Sequence, residues 1–108
     1  MAKGDDKLFR CLAEFYAADE RRQRASDKTF KLGEKPKPDL PRLRKAEARE
    51  EKLSAKADRA WYRVWKARAT SLKGLTAKAN LRRHWNLEDE ESEMIIYKSI
   101  IADIEAMN

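Results

Sequence analysis

Cysteine, histidine, glycine and proline are scarce in this chain, and no apolar run approaches the length needed to cross a membrane. Each scarcity excludes something. The lone Cys11 cannot form an internal disulfide, and its apolar neighbours on a predicted helix mark it as a small buried hydrophobe. His84 is the only histidine, so a general base has no second imidazole to work with and a metal would have no ligand set. Glu88 follows four residues later, but the helix is expected to break between them, and His84 reads as an exposed or packing residue near a helix end. Three glycines leave no phosphate-cradling loop, and no Ser/His/Asp pattern is present. The acids from Glu88 to Glu93 open a helix, where carboxylates act as caps and as solvated surface. No catalytic residue, no metal site and no cofactor is therefore expected. The opening Met1-Ala2-Lys3-Gly4-Asp5-Asp6-Lys7 is not followed by a signal-peptide core, and the expectation is a cytoplasmic protein with no membrane partner.

What the chain does have is charge, unevenly placed. Residues 1–85 carry 24 Lys and Arg against 12 Asp and Glu, whereas residues 86–108 carry one Lys against 7 acids. A basic body with a short acidic, isoleucine-rich tail follows, within a formal net charge of +6 over 108 residues. Of the apolar 42%, 16 residues are Ala, leaving few large side chains to build a core. Such a thin core points to burial continued across a partner or a second copy. The abundance of Ala, Lys, Glu, Arg and Leu favours helix in nearly every window.

The periodicity predicts a single helical domain over 1–108, with helices at about 6–30, 42–69, 72–84 and 88–107 and a Pro-rich linker at 33–41. Asp5 or Asp6 is a candidate cap for the first helix, whose Leu8, Cys11, Leu12, Phe15 and Ala18 form one apolar stripe. The linker prolines remove backbone donors and disfavour helix before them, and nine residues suffice to reverse the chain. The second helix begins with charged and Ala residues, then presents Leu53, Ala57, Ala60, Trp61, Val64, Trp65 and Ala67 on a broad apolar face. Thr70 and Ser71 are candidate caps for the third helix, in which Leu72, Leu75 and Ala79 share a face with Arg82 or Arg83. Gly74 costs this helix about 1 kcal/mol relative to Ala, which points to a close neighbour such as a Trp or backbone. Asn86 and Asp89 resemble a capping box for the last helix. That helix carries Met94, Ile96, Tyr97, Ile100, Ile101, Ile104 and Met107, a face broad enough to be buried on more than one side. The fold expected is all-α, a long antiparallel helical hairpin followed by two shorter helices.

Two sets of candidate functional residues emerge. Trp61, Val64, Trp65, Ile100 and Ile104 are the candidate partner-binding residues of a non-enzymatic interaction protein that self-associates or docks on another protein. Arg21, Arg22, Arg24, Arg59, Arg63, Lys66, Arg82 and Arg83 form basic clusters that would neutralise phosphates if they shared a face, giving a nucleic-acid-binding accessory or regulatory protein as the alternative. Interleaved acids at residues 19–20, 47–51 and 58 argue instead for an ordinary solvated helical surface.

Three segments carry a family resemblance: Ala57-Asp58-Arg59-Ala60-Trp61, then Thr70-Ser71-Leu72-Lys73-Gly74-Leu75-Thr76-Ala77-Lys78, then Ser99-Ile100-Ile101-Ala102-Asp103-Ile104. They resemble short, uncharacterised bacterial helical proteins, some of them prophage-associated. The likeness covers about half the chain, and the N-terminal half departs from it in being more basic. It implies a helical hairpin and a bacterial or phage context, and no mechanism.

Overall fold

The computed structural model describes residues 3–84 and 89–107, with the side chains of Lys3 and His84 left aside. Four helices run in the order α1 (Lys3–Gly33), α2 (Leu40–Lys66), α3 (Leu72–His84) and α4 (Glu90–Met107). No strand occurs among the described residues. The fold is all-α: a long antiparallel hairpin followed by two shorter helices.

Local chemistry accounts for each boundary. Asp39 starts α2, its carboxylate accepting the Arg42 N–H at 3.3 Å while its carbonyl accepts Leu43 N–H at 2.9 Å. Pro41 therefore lies inside the first turn, where its missing N–H costs nothing, and α2 begins two residues before the expected 42. At its other end Ala67 N–H is shared between the carbonyls of Arg63 and Val64, closing the helix at Lys66 rather than at 69. Ser71 caps α3 as expected, accepting Gly74 N–H at 3.2 Å. Asp89 itself caps α4: its carboxylate accepts Glu91 N–H at 3.1 Å and the Ser92 hydroxyl at 2.9 Å. The helix opens at Glu90 rather than 88, and Asn86, the other half of the expected capping box, lies outside the described residues.

The chain groups into two compact units. One comprises residues 1–12 and 62–108, the other residues 13–61. In the second unit, the α1 segment that includes Phe15, Ala18 and Ala25 is buried at those positions, as are Ala57, Ala60 and Trp61 of α2. Between these, the helices present mostly charge. Arg22 and Gln23 bond to Asp19 and Arg24 bonds to Glu20, so carboxylates occupy several of the cations three and four residues along.

The first unit has a different interior. Leu8, Cys11, Leu12, Val64, Trp65, Ala67, Ala69, Leu81 and Ile96 supply the apolar part, and Asp5, Lys78 and Asp103 are buried with them. The buried face of α3 is Gly74, Lys78 and Leu81, one turn apart in succession. The apolar face read from the sequence is not the one that packs: Leu72 is 78% exposed and Leu75 and Ala79 are only partly covered.

Candidate interaction surface

The polar centre of the first unit is built on small residues. Asp5 is not the cap of its own helix that the sequence suggests: α1 begins at Lys3, and the buried Asp5 carboxylate reaches the start of α3 instead. It accepts Thr70 N–H at 2.6 Å, the Thr70 hydroxyl at 3.0 Å and the Ser71 hydroxyl. The Ser71 bond, then the Thr70 backbone bond, hold its carboxyl below the ordinary value of 3.8 despite burial. Gly4 and Gly74 make this approach possible. A Cβ at Gly4 would lie 2.5 Å from Thr70 Oγ1, and one at Gly74 would lie 3.0 Å from both Asp5 oxygens and from Ala69 Cβ. The close neighbour expected at Gly74 is thus a carboxylate and an alanine methyl, not an indole.

Further along α3, Lys78 is fully buried. Its ammonium donates to Asp103 and, at 2.8 Å, to Ser99 Oγ, and it stands 5.9 Å from the centre of a Trp65 ring. Burial pushes its pKa down, and the bond and charge of Asp103 oppose that shift. Ser99 in turn donates its proton to the Trp65 carbonyl at 2.7 Å. A serine beside a lysine has the form of a nucleophile with its base, but not the chemistry, for two reasons. The Ser99 proton is committed to a backbone carbonyl, and the lysine is tied to a carboxylate and sealed from solvent. The arrangement is a structural clamp: α3 is fastened to α4 by Lys78–Asp103 inside and by Arg82–Glu93 at the surface.

This clamp decides which side of α4 faces outward. Ile96 and Asp103 are its buried residues. Met94 is 50% exposed, Tyr97 63% and Ile104 43%, with Met107 also exposed and Ile100 and Ile101 half-buried. Met94, Tyr97, Ile101 and Ile104 follow the i, i+3, i+7, i+10 spacing of a single helix face, flanked by Ile100 and Met107. Within one chain the broad apolar face is therefore covered on one side only. With Lys78 buried, its charge must meet Asp103, because either charge buried alone would be costly; that pairing fixes the rotation of α4 and leaves part of its apolar face outward.

The candidate partner-binding residues therefore separate. Trp61, Val64 and Trp65 are buried within the chain, so they belong to its interior and leave no surface for a partner. Ala57 and Ala60 are buried as well. Ile100 and Ile104 remain on the accessible face of α4. The basic set also divides. Arg22, Arg24 and Arg82 are paired with Asp19, Glu20 and Glu93. Arg21, Arg59, Arg63, Lys66 and Arg83 are exposed, as are Arg24 and Arg82, and Arg59, Arg63 and Lys66 follow one another along one side of α2.

A second surface lies outside the expectations drawn from the sequence. Within the unit of residues 13–61, a cleft of about 190 Å³ lies between α1 and α2, lined by Ala25, Leu32 and Ala46 and by Lys28, Arg42, Lys45 and Arg49. No acid lines it. The i, i+3, i+7 spacing of Arg42, Lys45 and Arg49 is the signal the sequence offers, and its meaning depends on which face of α1 lies opposite.

No group of acids, histidines and cysteines able to hold a metal occurs among the described residues, and no described helix is long and apolar enough to cross a membrane. Comparison with protein-family models, curated proteins and solved structures finds no match. The function has to be argued from these surfaces.

Proposed function

We propose that this chain is a non-enzymatic helical interaction protein of the cytoplasm that docks on a protein partner, itself or another, through the outward face of α4. The observation that carries this reading is the exposure of Met94, Tyr97, Ile104 and Met107 on α4 while Trp61 and Trp65 are enclosed. A chain this rich in charge has ample polar side chains to place there. Large apolar side chains gathered on one face, beside a buried ion pair that holds the helix in that rotation, are what a docking surface requires. The prophage-like resemblance of the segments that build the clamp fits a small accessory protein of phage origin.

The test is a photo-crosslinking amino acid placed at Ile104 or Tyr97, and at the exposed Ala102 away from that face, in cells that express the chain naturally. A discrete protein adduct from the first two positions and none from Ala102 is the expected result. Equal labelling from all three, or no adduct at all, would remove the reading.

A second reading, a basic nucleic-acid-binding accessory or regulatory protein, draws on the surplus of cations and on the exposed Arg21, Arg59, Arg63, Lys66 and Arg83. It requires duplex or single-stranded binding that weakens steeply from low to moderate salt. The absence of a gel shift even at low salt would eliminate it.

A further inference from the structure

We infer that the partner received by α4 is a second copy of this chain, whose cationic cleft between α1 and α2 takes the apolar and acidic face of α4; the inference rests on the docking reading above and names its partner. The two surfaces match in chemistry. The cleft offers an apolar floor of Ala25, Leu32 and Ala46 under a rim of four cations. The α4 face offers Tyr97, Ile101 and Ile104, bordered by Glu90 at its start and Glu105 near its end.

Size favours side chains over a small molecule. About 190 Å³ is below the roughly 300–1,000 Å³ of ordinary ligand pockets, but it admits one or two large apolar side chains projecting from a helix. The floor also argues for an amphipathic peptide over a phosphate backbone. A polyanion gains from the cations alone, whereas the Ala25, Leu32 and Ala46 surface gains only from covering by apolar atoms. An isolated charge rim steers association and sets register, and the apolar contact supplies the affinity. The chain carries an acidic amphipathic helix and a basic apolar cleft at once, so every copy brings both halves of the interaction.

The full-length protein is measured by sedimentation equilibrium from about 1 to about 100 μM, a range that brackets ordinary transient affinities. Three variants are compared with it, all at exposed positions and checked for unchanged helicity: Ile104→Asp, the cleft pair Lys45→Glu with Arg49→Glu, and the α4 pair Glu90→Lys with Glu105→Lys. The wild type should associate reversibly, and Ile104→Asp and the cleft pair should each weaken association about tenfold or more. Mixing the cleft pair with the α4 pair should restore association between the two, because the charges are then exchanged across the interface. A wild type that stays monomeric, association that ignores the cleft substitutions, or a mixture that fails to recover would each overturn the inference. If that happens while Ile104 still crosslinks to another protein in cells, the docking reading stands and only the choice of partner falls. A monomeric wild type that binds a duplex oligonucleotide, with binding lost in the cleft pair, would assign the cleft to nucleic acid instead.

Discussion

The two compact units solve the problem of a thin core in opposite ways. Residues 13–61 bury only apolar side chains, Phe15, Ala18, Ala25, Ala57, Ala60 and Trp61, and turn charge outward together with Phe30 and Leu40. Residues 1–12 with 62–108 enclose Asp5, Lys78 and Asp103 and leave Leu72, Met94 and Tyr97 outside, so burial follows hydrogen bonding and ion pairing. The first arrangement gains from apolar area and tolerates change at its surface. The second also encloses large apolar side chains, among them Leu8, Leu12, Val64, Trp65, Leu81 and Ile96, and its buried polar groups fix helix rotation besides, because each must meet its partner.

The contrast can be broken from either side. Phe15→Ala, in the apolar unit, should cost about 3–5 kcal/mol by cavity formation. Lys78→Ala should cost a similar 3–5 kcal/mol for a different reason, an uncompensated buried carboxylate at Asp103; urea unfolding measures both. The two are told apart by a paired replacement. Lys78→Met with Asp103→Leu should recover most of the loss, and the exposed face of α4 should then become less strictly specified, seen as broadened resonances for Tyr97 and Ile104.

Gly74→Ala sharpens the comparison further. Helix propensity alone favours Ala by about 1 kcal/mol, yet its Cβ would press on the Asp5 carboxylate and on Ala69. A net destabilisation of about 1–3 kcal/mol is expected by overpacking, and a stabilised variant would show that the carboxylate is not held there.

Acid should act on the first unit through Asp5. Its folded pKa lies below the ordinary 3.8, so its contribution is complete above that value and is lost as pH falls towards the folded one. Stability followed by circular dichroism from about pH 6 to about pH 2 should drop more steeply in the wild type than in Asp5→Asn. The smallest effect belongs to the charged exterior of residues 13–61. Arg24→Ala removes an exposed pair with Glu20 and should change unfolding by less than about 0.5 kcal/mol.

Much of the helical framework is legible in the sequence because it rests on local chemistry. The prolines between Gly33 and Leu40, the Ser71 cap and the spacing of Leu8, Cys11, Leu12, Phe15 and Ala18 all act within a few residues. The interaction surface is legible only in part. Lys78 reads as surface in any hydropathy pattern, and what makes it interior is Asp103 on another helix and Ser99 beside it. Asp5 reads as a local cap, and its real partners are 65 and 66 residues away. Trp61 and Trp65 look like anchors for a partner, but the chain encloses both itself.

Composition and periodicity alone settled that this protein is helical, where its main turn falls and that charge is segregated between body and tail, since these follow from backbone preferences and residue counts. Only the tertiary structure decided which face of α3 and α4 is inside. That choice depends on a lysine and an aspartate meeting across two helices: once either is buried it must have the other, and the rotation that joins them leaves part of the isoleucine row outside.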